Sequence, residues 1–283
     1  MTAATTDTAP APPRPSALQH RDGIVGGLRT LWDFRELLWL WVLREIKVRY
    51  KQSVLGAAWA VLEPLSLTLI FTVVFSVFTR MPTGDVPYAL FAYTALVPWT
   101  FFAGSINMAV PTLIKNLDLV TKIYFPREVL PVACLGAGLI DFGIALVVWV
   151  GMALAFGASL HWTLLYLPVL VAVQLLLMSG VALLMSAVVV RLRDMRFVVP
   201  LVLQLWLYAS PVIYPVSVVP EPLRPWYLLN PMAALIASYR RVMLEGLPPQ
   251  WGYVGLAAVV STLAFLVGYG YFRRAEKLMA DVI

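Results

Sequence analysis

A cluster of basic residues at positions 44 to 51 is the part of the sequence whose chemistry is easiest to assign. Arg44, Lys47, Arg49 and Lys51 all lie in the stretch REIKVRYK. Helical spacing of about 100° per residue places an apolar arc nearly opposite Arg44, Lys47 and Lys51. That arc consists of Phe34, Leu38, Val42, Ile46 and Tyr50. The pattern predicts an amphipathic interface helix over residues 32–52 that lies on a membrane, with its cations facing anionic lipid headgroups or an acidic partner protein.

Two acidic residues, Glu63 and Asp141, lie inside long apolar stretches. Ionisable residues within a membrane-spanning segment are functional candidates by default. Glu63 lies near one end of its stretch, so a functional role and a structural pairing with a cation of the interface helix are both open. Asp141 lies near the middle of its stretch, where it would cap polar groups of neighbouring helices or pair with a cation.

The residues needed for most enzymatic chemistries are absent from the sequence. There is no G-x-x-x-x-G-K-[ST] phosphate-binding loop, which excludes ATP hydrolysis by that route. The two histidines, His20 and His161, and the single Cys134 have no metal-ligand spacing, so no metal site is predicted. Cys134 is interpreted as a small packing residue. The sequence therefore favours a protein without catalytic residues or a cofactor of its own.

Residues 112–131 form a charged connection between two apolar stretches. Leu113, Leu117, Val120 and Tyr124 make an apolar stripe, and Lys115, Asp118 and Lys122 lie beside it. Pro126 prevents a continuous helix into the next stretch. The spacing predicts a short cytoplasmic helix over residues 113–124, while a solvated connector is the alternative.

Residues 210–251 are rich in proline, and each proline removes a backbone donor. Residues 232–244 nevertheless read as a short amphipathic helix. We expect residues 215–247 to form a re-entrant segment on the outer side that acts as a gate, since broken helices often mark a transport path. An elaborate exterior loop is the alternative. The candidate gate residues are Trp226, Asn230, Tyr239, Arg240 and Arg241.

The composition requires a lipid environment. With 61% hydrophobic and 13% charged residues, the chain has more apolar surface than a soluble domain of 283 residues could bury. Each long apolar run is about 20 residues, enough to cross a hydrocarbon core of roughly 30 Å. The sequence predicts an all-α integral membrane protein with six transmembrane helices. The predicted spans cover about residues 55–78, 88–110, 129–156, 162–190, 197–214 and 251–272.

The distribution of the cations predicts the orientation. Cytoplasmic termini would place 17 of the 21 basic residues inside and four outside, as the positive-inside rule requires. The net charge of +6 is thereby explained without a nucleic-acid partner. Residues 1–29 are expected to form a disordered cytoplasmic tail, and residues 30–283 a single membrane domain.

The order of these segments resembles a known family. The segments are an amphipathic LREIKVRYKQSVLGAAWAVLEPL, six spans, KNLDLVTKIYFPREVLP, RLRDMR and an outer LNPMAALIASYRRVML. Together they look like the membrane subunit of type-2 ABC exporters of polysaccharides. That family includes O-antigen, capsule and teichoic-acid permeases. The resemblance covers roughly residues 30–283 and does not specify a particular glycan.

The resemblance implies a mechanism and partners. It implies a homodimer in the cytoplasmic (inner) membrane, with two copies of a separate ATPase that bind ATP and Mg. It also implies that residues 113–124 are a coupling helix, and that the interface helix lies against the ATPase and gates admission of a lipid-linked glycan. ATP binding would move the coupling helices and open a channel at the dimer interface.

Aromatic rings suit such a channel because they contact sugar faces with weak directionality. The candidates are Tyr88, Phe91, Tyr93, Trp99, Phe101 and Phe102, for which an aromatic belt at the membrane interface is the alternative. A drug or lipid exporter of the same architecture is the main alternative function. A glycan-processing membrane enzyme should show an acidic or histidine cluster, and a secondary transporter should show inverted repeats.

Overall fold

A computed structural model describes residues 24–51, 56–78, 81, 84, 86–122 and 125–282. Within these residues the regular structure is entirely helical, as expected from the long uncharged runs. Of the predicted tail over residues 1–29, residues 1–23 lie outside the described part of the chain. Residues 24–29, which the sequence assigned to that tail, belong to the first helix.

The N-terminal region forms two helices rather than one. They are α1 (Ile24–Asp33) and α2 (Arg35–Tyr50), separated at Phe34. The predicted interface helix over residues 32–52 therefore corresponds mainly to α2, and residue 52 lies outside the described residues.

Among the described residues, five long helices are apolar enough to cross a membrane, and a sixth apolar helix is shorter. The six apolar helices are α3 (Trp59–Thr72, continued by a π-helical turn, Val73–Phe78), α4 (Tyr88–Ala109), α7 (Val129–Ala155), α8 (Leu167–Arg191, preceded by a 3-10 turn, Trp162–Tyr166), α9 (Met195–Tyr208) and α12 (Trp251–Val282). The remaining short helices are α5 (Thr112–Lys115), α6 (Leu117–Lys122), α10 (Arg224–Tyr227) and α11 (Pro231–Met243). The chain is therefore a multi-pass helical membrane protein.

The predicted fifth span over residues 197–214 needs correction. Its helix, α9, ends at Tyr208, and residues 209–214 leave the helical conformation. At 1.5 Å per residue the 14 residues of α9 reach only about 21 Å. Pro211 and Pro215 explain the early end, because neither can donate the backbone hydrogen bond that a continuing helix requires.

The core of the chain is built around α4, whose residues are mostly buried against α7, α8, α9 and α11. Helices α8 and α12 pack closely against each other. A Cβ atom at Gly268 would overlap the backbone of Gly180, so these two glycines allow the helices to approach without intervening side chains. In contrast, α3 has only two buried residues, Pro64 and Thr68, and five of its side chains, including Glu63, are exposed.

Candidate functional site

The interface helix α2 packs lengthwise on α7 through its apolar arc. Trp41 and Val42 are buried, and the methyl groups of Val42 lie directly over Gly136. Of the predicted apolar arc Val42 is buried, but Leu40 and Val48 elsewhere on α2 are exposed, so the apolar residues of this helix are not confined to one face. The buried part of α2 faces a transmembrane helix rather than lipid headgroups. Lys47 and Lys51 are exposed on the other face.

Arg44 connects the interface helix to the segment between α4 and α7. Its guanidinium lies 4.4 Å from the centroid of the Trp41 ring and donates to Asn116 Oδ1 at 3.1 Å. Asn116 in turn donates from Nδ2 to the carbonyl oxygen of Thr112 at 2.8 Å. The Trp41 ring also stacks on Phe125. The two segments therefore form one packed unit.

The predicted coupling helix over residues 113–124 consists of α5 and α6, with a break at Asn116. Leu113 is buried, while Lys115 and Asp118 are exposed on the protein surface. The side chain of Lys122 and the end of the predicted helix at residues 123–124 lie outside what the structure describes. The exposed charges on α5 and α6 form a surface that a partner could contact.

A buried carboxylate, Glu128, lies immediately before the first residue of α7, and it was not predicted from the sequence. Glu128 is completely buried, and its Oε1 lies 3.7 Å from Nη1 of Arg273 on α12. Burial, with a further contribution from Glu276, raises the pKa of its carboxyl above the ordinary value. Arg127 donates to the carbonyl oxygen of Glu276 at 3.2 Å. These contacts attach α12 to the segment that follows α6.

The outer segment contains the most completely buried short helix, α11. Asn230 caps this helix: its Oδ1 accepts from Met232 N at 3.1 Å and from Trp206 Nε1 at 2.9 Å. Its Nδ2 donates to Ser210 Oγ at 3.0 Å. Asn230 thus fastens the start of α11 to the broken end of α9.

Arg240 is buried rather than exposed to lipid phosphates. Its guanidinium donates to the carbonyl oxygens of Val212 at 2.7 Å and Tyr214 at 3.1 Å, and also to Pro211. These carbonyls belong to the segment where α9 stops. Arg240 therefore satisfies backbone groups that the broken helix leaves without partners.

Arg241 has a different environment from its neighbour. It is partly exposed, donates from Nε to the carbonyl oxygen of Pro248 at 2.7 Å, and lies 3.9 Å from Glu245. It lines a cavity of about 260 Å³ with Glu245, Gln250 and Tyr253. Trp226 is exposed, whereas Tyr239 is fully buried and donates to Gln174 Oε1 at 2.9 Å.

All six aromatic residues predicted to line a channel are in the interior of the protomer. None has more than 7% of its surface exposed, and they pack against neighbouring helices. Tyr88 donates to the carbonyl oxygen of Ile213 at 2.7 Å, and Tyr93 to that of Ala145 at 3.2 Å. A role of Tyr88, Phe91, Tyr93, Trp99, Phe101 and Phe102 in lining a channel stays a prediction, and it would require these helices to separate.

Of the two intramembrane acids, Asp141 has partners in the interface helix. Arg49 forms an ion pair with its Oδ2, and Tyr50 donates to its Oδ1 at 2.8 Å. Glu63 is exposed on α3 and lines the same cavity as Arg49 and Asp141. Cys134 is buried in the core, as a packing residue should be.

Comparison with known proteins identifies the class of this helical membrane protein. Residues 36–244, from the start of α2 to the end of α11, match the family described as ABC-2 type transporter. The chain belongs to that family. The predicted resemblance to the membrane subunits of ABC-2 exporters is therefore confirmed.

Particular relatives are permeases for glycans. The chain is 32% identical to the O-antigen export system permease protein RfbA of Myxococcus xanthus, over 90% of this chain and 98% of the relative. It is 27% identical to RfbA of Klebsiella pneumoniae, over 85% of this chain and 92% of the relative. It is 22% identical to the polysialic acid transport protein KpsM of Escherichia coli, over 84% of this chain and 92% of the relative.

Proposed function

We propose that the chain is the permease of an ATP-driven exporter that moves an O-antigen-like or capsular polysaccharide across the cytoplasmic membrane. The observation that carries this proposal is the near full-length match to an O-antigen export permease. More distant relatives transport polysialic acid, another glycan polymer. We further propose that both termini are cytoplasmic, because this orientation places most cations inside.

The energy source would be a separate ATPase, present in two copies, which binds ATP and Mg. We propose that it contacts the exposed charges Lys115 and Asp118 on α5 and α6, together with Lys122. The contact between Arg44 and Asn116 supports a route for motion from this surface to the interface helix. A displacement of α5 and α6 would then shift α2, since both pack into one cluster with the start of α7.

A homodimer with a channel between its protomers is consistent with the exposure of α3. Glu63 lies on the exposed side of this helix, and a carboxylate facing hydrocarbon is energetically costly. A partner protomer or a water-filled path along α3 would remove that cost. The two-fold axis would place the same helix of each protomer beside the channel.

The cargo in this proposal is a lipid-linked glycan that is admitted beside the interface helix. Lys47 and Lys51 are exposed on α2 and would attract anionic groups at the membrane surface. On the outer side, Arg241 and Trp226 remain candidates for contacts with the emerging substrate. The outer segment between α9 and α12 would act as a re-entrant gate, and its burial supports this assignment over a loop in water.

Deletion of the gene in the native host tests the proposed function. The glycan polymer should accumulate inside the cell and disappear from its surface, and expression of the wild-type chain should restore export. Polymer in both compartments can be measured with a glycan-specific antibody before and after cell lysis. Unchanged surface polymer combined with altered drug sensitivity or lipid distribution would instead indicate the drug or lipid exporter.

A further inference from the structure

The end of the interface helix is attached to the middle of a transmembrane helix. Arg49 and Tyr50, the last two residues of α2, occupy the two carboxylate oxygens of Asp141 on α7. Arg49 also contacts the sulfur atom of Met108 on α4. The side chains of Arg49 and Asp141 are only 28% and 17% exposed, so water screens their attraction weakly.

The ion pair borders a cavity of about 100 Å³ between α2, α3, α4 and α7, whose lining combines a few charged and polar groups with many apolar side chains. A second carboxylate, Glu63, lines this cavity and has no ion pair within the described part of the chain. The hydroxyl of Ser105 is also buried there without a hydrogen-bond partner in this structure. The charged residues that line the cavity are thus one cation and two carboxylates.

This imbalance gives Arg49 two competing acceptors on different helices. Asp141 belongs to α7, on which α2 is packed, while Glu63 is an exposed residue of α3. Both carboxylates line the same cavity as Arg49, and an arginine guanidinium stays charged whichever of them it pairs with. Each partner would fix a different position of the end of α2.

We propose that Arg49 is a positioning residue that holds the interface helix against α7 through Asp141, and that Glu63 accepts its guanidinium when this helix moves during transport. The proposal rests on the proposed export function for its cycle, but the docking of α2 on α7 can be measured separately. Arg49 thereby differs from Lys47 and Lys51, whose side chains are exposed on α2.

A disulfide can report the docked position of the interface helix. A Cβ atom built on Gly136 lies 3.8 Å from the Cβ atom of Val42, close to the mean separation of about 3.8 Å found in disulfides. The reporter is therefore Val42→Cys with Gly136→Cys in a Cys134→Ala background. Its oxidation rate would be followed in membrane vesicles that contain the full chain and its partner ATPase.

Removing the Arg49–Asp141 ion pair, which we call the latch, should slow the formation of this disulfide. We expect Arg49→Gln and Asp141→Asn each to reduce the rate about fivefold or more, the lower range for coupling between two states. The charge exchange Arg49→Asp with Asp141→Arg should restore much of the rate, and Arg49→Lys should restore part of it. Lys47→Gln on the same helix is the matched control and should leave the rate unchanged.

Glu63→Gln should distinguish the role of Glu63 from that of Asp141. Without nucleotide, the disulfide should form in this variant at the control rate. An ATP analogue should slow disulfide formation in the control protein, and this slowing should be smaller in Glu63→Gln. The rate of polysaccharide export should also fall. A normal disulfide rate in Arg49→Gln, or no recovery in the charge exchange, would overturn the latch. Wild-type export and nucleotide response in Glu63→Gln would overturn the second acceptor. If the docking results hold but deletion of the gene leaves export intact, the proposed function fails and the latch stands.

Discussion

Arg240 on α11 lies against the ring of Phe91 on α4, with the guanidinium carbon 3.5 Å from the ring centroid. The same guanidinium donates to backbone carbonyls of the segment after α9, including Val212 at 2.7 Å. The buried guanidinium of Arg240 thus joins α11, α4 and the segment after α9. Its positive charge is compensated by carbonyl dipoles and the face of an aromatic ring, which together replace its hydration.

Loss of this cation should destabilise the outer segment. Arg240→Gln cannot reach all the carbonyls, and we expect it to lower the free energy of unfolding by about 2–3 kcal/mol, since hydrogen bonds from a charged group are lost and buried carbonyl oxygens are left without partners. Arg241→Gln, one residue away and partly exposed, should cost less than about 1 kcal/mol. Thermal unfolding of both variants in detergent, followed by size-exclusion chromatography, compares them. Equal midpoints would contradict the structural role of Arg240.

The two arginines also show where prediction from the sequence succeeds and fails. Long uncharged runs were enough to locate the apolar helices, because backbone in lipid must form its own hydrogen bonds. The run from Phe197 to Val219 is equally apolar, yet α9 ends at Tyr208. Pro211 and Pro215 indicated a break, but the compensating donor lies some 30 residues away on α11. No local pattern distinguishes Arg240 from Arg241.

The same limit applies to the interface helix. Residue type and spacing predicted the apolar arc of α2 and the exposure of Lys47 and Lys51. They did not separate Arg49 from the other cations, since that difference depends on Asp141, 92 positions away. Glu128 was missed for a related reason: it follows a charged segment, and its burial depends on Arg273 and Glu276 of α12, which are far from it in the sequence.

The buried carboxyl of Glu128 should make stability depend on pH. Its folded-state pKa is raised above the ordinary 4.5 by burial and by Glu276, so the folded protein holds the proton more tightly than the unfolded chain. The resulting stabilisation is complete below about pH 4.5 and is lost as the pH rises through the folded-state pKa.

The variant Glu128→Gln, which is uncharged at every pH, should escape this loss. We expect the stability of the variant relative to wild type to increase as the pH rises from about 4.5 and then to level off. The change should be about 1–3 kcal/mol, the usual cost of a buried polar group without a hydrogen bond. Unfolding midpoints of both proteins across this pH range measure it, and a difference that does not vary with pH would contradict the prediction.

Charge reversal on the coupling segment should separate ATP hydrolysis from transport. Asp118 is exposed on α6, so Asp118→Lys should leave the chain folded and inserted but weaken a contact with the ATPase, because a like charge at an interface is costly. Export by the reconstituted complex should fall several-fold while ATP hydrolysis continues. Asp118→Asn, which only neutralises the residue, should lie between the reversal and wild type. Export by Asp118→Lys at the wild-type rate would exclude this contact.

Single cysteines along α11 can determine whether the outer segment is a gate. Seven positions from Ala233 to Arg240 are buried and Ala237 is partly exposed, so accessibility on this part of the helix should be confined to Ala237 and Arg241. In a Cys134→Ala background, we expect Ala237→Cys to react with a membrane-impermeant maleimide added from outside. Ala233→Cys and Ile236→Cys should be protected in the absence of nucleotide.

Addition of ATP should then change this pattern if the segment opens during transport. Protected positions should react faster, because motion of α11 would expose its buried faces, whereas Ala237→Cys should change little. The matched comparison is Ala233→Cys with Ala237→Cys, since the two positions lie one helical turn apart on similar small residues. Fast and uniform labelling at every position, insensitive to nucleotide, would show that the segment is a solvated loop, because a packed helix cannot present all of its faces to the reagent at once.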